Sequence, residues 1–558
     1  MAILDRLKKL YPKSYISISN AIDLLIHKWK SFEFKSYNEV TQSDVCLITY
    51  GDAFYRNGEM PLETLNQFYS DYLKDFINII HILPMYPYSS DDGFSVIDFR
   101  TVDPKLGNWN HLTQLQSHVD LMYDAVLNHV SVQSEYFKNY LEGKKGYDNF
   151  FISQDPKKDF SKVTRPRTSP LLTPFKSNSG EKFVWTTFSD DQVDLNYEDP
   201  HVLLEILDVL LFYVSNGARF IRFDAIGFLW KKDDSTCMHL EETHEVVKLM
   251  RDVIESVTNG VKIITETNVK HAENISYFGN GNDEASLVYQ FPLPPLVLHA
   301  FQSENNEFLT EWLNQLKPTQ IGTTFFNFLS SHDGIGVRPV EGLLPEIELN
   351  TMIANVIDRG GKINYRKVEN GQDIPYEMCI TYLDALNKKE DSTEDQIKRM
   401  VGAITILLSL QGLPAIYYHS LLGSHNDYQG YEMSKINRRI NREKLEYNSL
   451  SNELNNQNSF RFQLFNQIKK RIEYRISNPL FHPDVPQIVH NLSHKVFALE
   501  RSNQENQIVT LVNLSTSKEK ISLKGQYINR LTGEIFLNDI ILNPLESGWF
   551  EICRMDRD

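Results

Sequence analysis

Asp224, Glu266 and Asp333 are the residues on which chemistry could turn. Each stands where an apolar run ends: residues 219–223 before Asp224, 261–265 before Glu266, and 325–330 before Ser331-His332-Asp333. Arg222 lies two residues before Asp224, so in a strand both side chains leave on the same face. An arginine beside a carboxylate keeps it ionised, as a nucleophile requires. Two carboxylates on neighbouring strands are the minimal equipment for splitting a glycosidic bond. One must be ionised to attack the anomeric carbon, and the other protonated near neutral pH to donate to the leaving oxygen. Asp333 is a third acid that could hold sugar hydroxyls, and His129 and His332 could donate hydrogen bonds to the same ring. Asp52, Asp92 and Asn128 also follow apolar runs. So many polar groups at strand ends argue for one convergent site. No HxH, HExxH or CxxC spacing occurs, so no metal is expected.

The elements that must position these groups alternate along the chain. Apolar runs at 44–50, 76–83, 119–126, 219–223, 261–266, 287–290, 325–330 and 413–418 read as eight buried strands. Helical spacing lies between them, as at 203–214 and 396–410. The pattern predicts an α/β fold, a (β/α)8 TIM barrel whose strand ends carry the chemistry. Residues 1–43 read as a polar helical lead-in, and 44–485 as the catalytic barrel. An inserted subdomain with weak helical periodicity is expected at 130–190, after strand three, and a second insertion at 334–395, after strand seven. Short alternating strands mark 486–558 as an all-β C-terminal domain.

Composition narrows the function classes. The formal net charge is −16, which argues against nucleic acid and means that an anionic substrate needs local arginines. The four cysteines are scattered, which fits neither a disulfide framework nor thiolate metal ligation. The first residues form an amphipathic pattern without a signal-peptide core, and no run approaches a membrane span, so the expected location is cytoplasmic, with no membrane partner.

Asp124-Ala-Val-Leu-Asn128-His129, the 217–225 stretch, Ile264-Thr-Glu266 and Ser331-His332-Asp333 resemble the four signature regions of the α-amylase superfamily, glycoside hydrolase family 13. Gln192-Val-Asp194-Leu-Asn196 resembles its additional region. The resemblance covers roughly residues 44–555. It implies Asp224 as nucleophile, Glu266 as general acid/base and Asp333 as transition-state stabiliser, with retention through a covalent glucosyl-enzyme. Arg222, His129 and His332 become sugar-site partners. Residues 93–98 with 102–107, and Arg165-Pro166-Arg167, resemble the sucrose phosphorylase subgroup. Residues 47–54, 165–175 and 331–345 are closer to its long-chain branch, the glucosylglycerate phosphorylases. Two positions depart from sucrose phosphorylases: Phe228 stands where Tyr is usual, and Asn268 where His is usual.

A glycoside phosphorylase is expected on physical grounds as well. Water competes for any glucosyl-enzyme, so phosphate wins only if cations hold it in line at the anomeric carbon. Arg165 and Arg167 are the expected phosphate holders. Asp92, Phe94, Asn268, Arg338 and Arg438 join His129, Arg222 and His332 as expected substrate contacts, with Arg442 as a further cation. For a small carboxylate acceptor, Arg338, Arg359, Lys362 and Arg366 are the cations after strand seven, Arg338 foremost. The expected reaction is reversible phosphorolysis of 2-O-α-D-glucosyl-D-glycerate to α-D-glucose 1-phosphate and D-glycerate. Inorganic phosphate is a co-substrate and no cofactor is expected; the assembly is a monomer or homodimer. The alternatives are a sucrose, sucrose 6-phosphate or glucosylglycerol phosphorylase, an α-glucosidase or transglucosidase, and a non-catalytic relative.

Overall fold

A computed structural model describes residues 2–367 and 372–553. Met1, 368–371 and 554–558 belong to the segments expected at 1–43, 334–395 and 486–558, and lie outside the described residues. Eight parallel strands close into a barrel. They are β1 (Cys46–Thr49), β2 (Ile79–Ile82), β3 (Asp120–Val126), β4 (Ala218–Asp224), β5 (Lys262–Thr265), β6 (Leu287–Tyr289), β7 (Thr324–Phe328) and β8 (Leu413–Tyr417). Neighbours follow chain order, and β8 pairs with β1 to close the ring. The strands are apolar runs because a parallel barrel covers both faces of its sheet, with packed side chains inside and helices outside. The α/β barrel expected from the sequence is the observed fold.

The approach to β4 shows how local sequence sets the geometry. Helix Pro200–Ser215 starts with Asp199 accepting from the His201 amide and with proline in its first turn. It is apolar nearly all round because it packs between the barrel and helix Tyr15–Trp29. It stops at Asn216, and Gly217 turns the chain with φ 87°. A Cβ at Gly217 would lie 1.8 Å from the Gln116 amide, so position and conformation both demand glycine. Two residues later β4 has begun.

The flanking segments add packing and strand pairing to their sequence reading. The lead-in forms helices Ala2–Leu10 and Tyr15–Trp29, and its Leu7 and Ile22 are wholly buried. It packs on Pro200–Ser215 and Glu241–Val257 as part of the helical layer, because its polar face is only one side of each helix. The stretch after β3 holds one helix, Glu135–Glu142, and an antiparallel hairpin, Leu172–Ser177 with Gly180–Trp185. Strand pairing across a two-residue turn explains why helical periodicity is faint there. His129–Ser131 pairs antiparallel with Gln192–Asp194 and ties this stretch to the barrel rim. After β7, Ile335–Gly336, Asp373–Cys379 and Lys362–Lys367 form a small antiparallel sheet. Residues 487–552 carry a six-stranded antiparallel sheet. Its fully buried Trp549 stacks on Tyr474 and donates to Ser409 Oγ at 2.8 Å. Among the described residues no helix is long and apolar enough to cross a membrane.

A buried ion cluster closes the end of the barrel opposite the candidate site. Arg219 donates to Asp44 Oδ1 at 2.6 Å and to Asp120 Oδ2 at 3.1 Å. Asp44 also accepts from Asn78 Nδ2 at 3.0 Å and the Thr41 amide at 2.8 Å. Removing one partner of a buried pair strands the other charge. Asp44→Ala is therefore expected to lower unfolding stability by about 3 kcal/mol, with catalysis of the folded fraction intact. Urea unfolding and kcat at low denaturant measure the two effects.

Candidate active site

Arg222 sits at the bottom of the site, 2% exposed. Strand register sets it directly beside Asp124 on β3 and Ile264 on β5. Its Nη1 donates to Asp124 Oδ1 and, at 2.9 Å, to Asp224 Oδ1, while its Nη2 lies 3.9 Å from Glu266 Oε2. Burial opposes its charge, but Asp124, Tyr289, Asp224 and Glu266 outweigh that and hold its pKa well above the usual arginine value. Asp124 is itself fixed by His81 Nε2 at 2.6 Å. Burial works against its ionisation, yet Arg222 and His81 keep it below the usual carboxylate range.

The two candidate reacting acids meet over this guanidinium. Glu266 lies just past β5, and its Oε2 accepts the Ala225 amide at 3.1 Å. That bond uses a left-handed Ala225, φ 49°, immediately after Asp224. Burial raises both carboxyls, each further raised by acidic neighbours and opposed by Arg222. Two carboxyls this close titrate as a pair, and the first proton lost comes from the one whose anion is better held. The shift is the larger for Asp224, yet only Asp224 takes a direct guanidinium bond, the Glu266 contact being 3.9 Å. A direct charge-assisted bond favours the ionised partner, so the proton rests on Glu266.

Asp333 faces them from the segment after β7. Burial would raise its pKa, but Arg438, Arg222, Arg442 and Arg167 together lower it. Arg438 Nη1 reaches Asp333 Oδ1 at 2.8 Å. The opposite edge of Arg438 makes a bidentate contact with Glu377, at 2.7 and 3.0 Å. Arg438 lines the cavity as expected, but its fork is committed to these two acids, so it positions Asp333. The histidines are uncharged donors. Burial lowers the pKa of His129, and burial with Arg222 and Arg442 lowers that of His332. In the neutral tautomer that suits its partners, His129 donates from Nε2 to the Phe94 carbonyl at 2.9 Å. Phe94 stacks flat on His332, centroids 4.6 Å apart.

Of the expected residues, Asp224, Glu266, Asp333, His129, His332, Phe94, Asn268, Arg167, Arg338 and Arg438 line one cavity, with Arg222 beneath it. Phe228 and Arg366 line it too. Asp92 does not. It pairs with Arg442 at 2.6 Å and Arg439 at 3.2 Å, and lines a neighbouring recess with Asp52, which is bound to Lys444. Asp91 takes its place at the cavity wall. Both aspartates have positive φ, 53° and 47°, so the turn departs from strand alternation and a reading by spacing picks the wrong one. Arg165 also lies off the cavity: burial lowers its pKa, and its guanidinium is turned to the Ser169 carbonyl. Arg359 donates to the Ala385 carbonyl and Lys362 sits over the Tyr431 ring, neither lining the cavity. Sequence reading missed Asp91, Gln192, Phe188 and Tyr376 as cavity residues. Gln192 stood in a quoted motif; Tyr376 carried no local signal.

Three arginines of the cavity wall are left facing inward. Arg167 lies over the rings of Phe188 and Tyr376, at 5.7 and 5.3 Å, with no carboxylate of the described residues at ion-pair distance. Among the described residues Arg338 forms one ion pair, with Glu273 at 3.5 Å, and Arg366 reaches Glu341 at 3.1 Å. No group of three or more His, Cys, Asp or Glu among the described residues could hold a metal ion.

Arg438 makes a stability test with a sign. Asp333 and Glu377 are both held below the usual carboxylate range by it, against burial. Their pairing therefore stabilises the fold above the unfolded-state values and is lost as pH falls through the lowered ones. In Arg438→Met both carboxyls rise. Unfolding midpoints should show a deficit of about 3 kcal/mol near pH 7 that shrinks towards about pH 4. A deficit independent of pH would show that packing of the side chain, and not its charge, is what matters.

A model of the α-amylase catalytic domain matches residues 69–338. The chain is 45% identical over 514 residues to glucosylglycerate phosphorylase of Escherichia coli strain K12, covering 91% of this chain and 92% of that protein. It is 46% identical over 475 residues to glucosylglycerate phosphorylase of Spirochaeta thermophila, covering 85% and 81%. Among solved structures, sucrose 6F-phosphate phosphorylase from Thermoanaerobacter thermosaccharolyticum matches with a TM-score of 0.77 at 26% identity, covering 90% of this chain and 98% of that one.

Proposed function

This chain belongs to the α-amylase family, glycoside hydrolase family 13, and on that premise we propose that it is a retaining glycoside phosphorylase. It converts 2-O-α-D-glucosyl-D-glycerate and inorganic phosphate reversibly into α-D-glucose 1-phosphate and D-glycerate. The observation that carries the reading is one cavity holding both a buried carboxylate trio over Arg222 and three inward-facing arginines, Arg167, Arg338 and Arg366. A hydrolase would need the first set only.

The chemistry follows from the groups present. Asp224, kept ionised by Arg222, attacks the anomeric carbon and forms a β-glucosyl ester. Glu266 gives its proton to the departing glycerate oxygen. Phosphate then enters on the same face, passes its hydroxyl proton to the Glu266 carboxylate, and its oxygen displaces Asp224. Configuration is retained because the carbon is inverted twice. Asp333, steadied by Arg438, supports the oxocarbenium-like transition states. His332, uncharged, donates to a sugar hydroxyl beside Phe94, whose carbonyl takes the Nε2–H of His129. The phosphate is held by arginine, with Arg167 nearest to unpaired. Phe228 and Asn268 line the cavity, and on its acceptor side they would offer little to a ketose. No cofactor takes part.

The reading is tested by phosphate release from glucose 1-phosphate with D-glycerate, glycerol, fructose and fructose 6-phosphate. Rapid release with glycerate alone is expected. Equal rates with glycerol would show that no carboxylate is read, and a preference for fructose 6-phosphate would overturn the acceptor assignment.

The residue roles are tested separately. Asp224→Asn should lose at least about 10⁴-fold in kcat while staying folded by circular dichroism, since no ester can form. Glu266→Gln should slow transfer from glucosylglycerate far more than from α-glucosyl fluoride, whose leaving group needs no proton. An equal loss with both donors would make Glu266 a positioning group.

A further inference from the structure

Arg338 and Arg366 belong to the segment after β7, a part of the chain that supplies Asp333 but is not otherwise used by the bond-breaking step. Arg338 opens the short helical turn Arg338–Val340, and Arg366 lies on strand Lys362–Lys367. Strand Asp373–Cys379 joins them: Arg366 is registered on Ile374, and the Val337 amide donates to the Tyr376 carbonyl. Tyr376 carries its ring to the cavity between them and lies against Arg167. Three cations from two separate insertions thus line one cavity together with this tyrosine.

None of the three is neutralised as the deeper arginines are. Arg438 spends both edges of its fork on Asp333 and Glu377. Arg366 shows one bond among the described residues, from Nη2 to Glu341, and its buried Nε has no partner. Among the described residues the one ion pair of Arg338 is a 3.5 Å contact with Glu273, whose side chain is 42% exposed. The one side-chain hydrogen bond of Arg167 among them is a 3.3 Å bond to the Pro166 carbonyl. A guanidinium presents five donors, so each retains an edge for an anion. Asn268 sits beside them with its Oδ1 unpartnered, close enough to Gly336 that a Cβ there would come within 2.8 Å.

The double displacement constrains how anions can use this wall. In a retaining mechanism phosphate and the acceptor attack the same face of the same carbon, so their reacting oxygens occupy one position in turn. The charge of each anion then projects towards the same part of the wall. Resting on the phosphorylase reading above, we propose that Arg167, Arg338 and Arg366 form a single anion subsite, holding phosphate in one half-reaction and the carboxylate of the acceptor in the other. The acceptor class is thereby 2-hydroxycarboxylates. In these the carboxylate is borne by the carbon that carries the reacting hydroxyl, the closest a carboxylate comes to the charge position of phosphate. The third carbon of glycerate is secondary to recognition. Arg338 and Arg366 act in both directions of the reaction and are not dedicated to one substrate.

The test starts from one intermediate. α-Glucosyl fluoride loads the enzyme, and the glucosyl-enzyme is then offered phosphate, D-glycerate, D-lactate, 3-hydroxypropionate, glycerol or water alone, with products separated and kcat/KM taken for each. The wild-type enzyme should use phosphate, glycerate and lactate, and 3-hydroxypropionate at least about tenfold less well, because its charge is one carbon too far out. Arg338→Gln, Arg366→Gln and Arg167→Gln should each lower kcat/KM for phosphate and glycerate by about tenfold or more, as expected for a lost charge-assisted bond. The two losses should agree within about threefold. A variant that loses phosphate but keeps glycerate, or the reverse, would overturn the shared subsite. So would 3-hydroxypropionate performing as well as glycerate. If the wild-type enzyme transfers to phosphate but not to glycerate, the acceptor reading itself fails, a result distinct from either of these.

Discussion

The buried guanidinium of Arg222 is the constraint on which the site depends. A charge this deep is tolerated only when paired with good geometry on every side. Its donors meet Asp124 from β3 and Asp224 from its own strand, with Glu266 beyond β5 within ionic range. The rings of Phe94 and Tyr289 close the remaining faces at 5.6 and 5.7 Å. Three adjacent strands are thereby held in one register at their C-terminal ends. The charge also orders the acids: the carboxylate bonded directly to it stays ionised, and its neighbour keeps its proton. A lysine would not do this, since its point charge lacks the planar fork that spans two carboxylates.

Outwards from that centre the charges are sorted by how completely they are paired. Arg222, Arg438 and Arg442 are each paired with a carboxylate, which makes them structural posts for the candidate reacting groups. Arg167, Arg338 and Arg366 keep free edges and line the cavity. On a chain of net charge −16, an anion is repelled by much of the surface, and these cations supply the local field that reverses the balance. The sorting fits a phosphorylase because water is always available to a glucosyl ester, whereas phosphate must be gathered and aimed.

Left-handed backbone occurs at the site as well. Ala225 follows Asp224 with φ 49°, and Asp91 and Asp92 hold φ values of 53° and 47°. Left-handed non-glycine residues persist only where the surroundings over-determine them. At Ala225 the return is visible: its amide is turned onto the Glu266 carboxylate. At 91–92 the turn sends one aspartate to the cavity and the other to Arg442.

Much of this was legible from order and spacing. Eight apolar runs ending in polar residues describe a barrel because a parallel strand buried on both faces has no other pattern, and 222 and 224 share a face because side chains alternate. That Asp224, Glu266 and Asp333 stand at strand ends could be read from position alone. The packing of the helical lead-in, the hairpin at 172–185 and the choice between Asp91 and Asp92 could not, since each depends on packing or on a turn without a fixed period. The same holds for the arginines. Residues 165 and 167 are equivalent in sequence, yet one turns to a backbone carbonyl and the other to the cavity. Arg438 looked like a substrate contact until Glu377 was found across from it. The amino-acid sequence by itself determined the barrel and the acids that meet at its mouth, because regular strands convert spacing directly into direction. Only the tertiary structure decided which cations are free to hold an anion, because that depends on partners hundreds of residues away that no local pattern records.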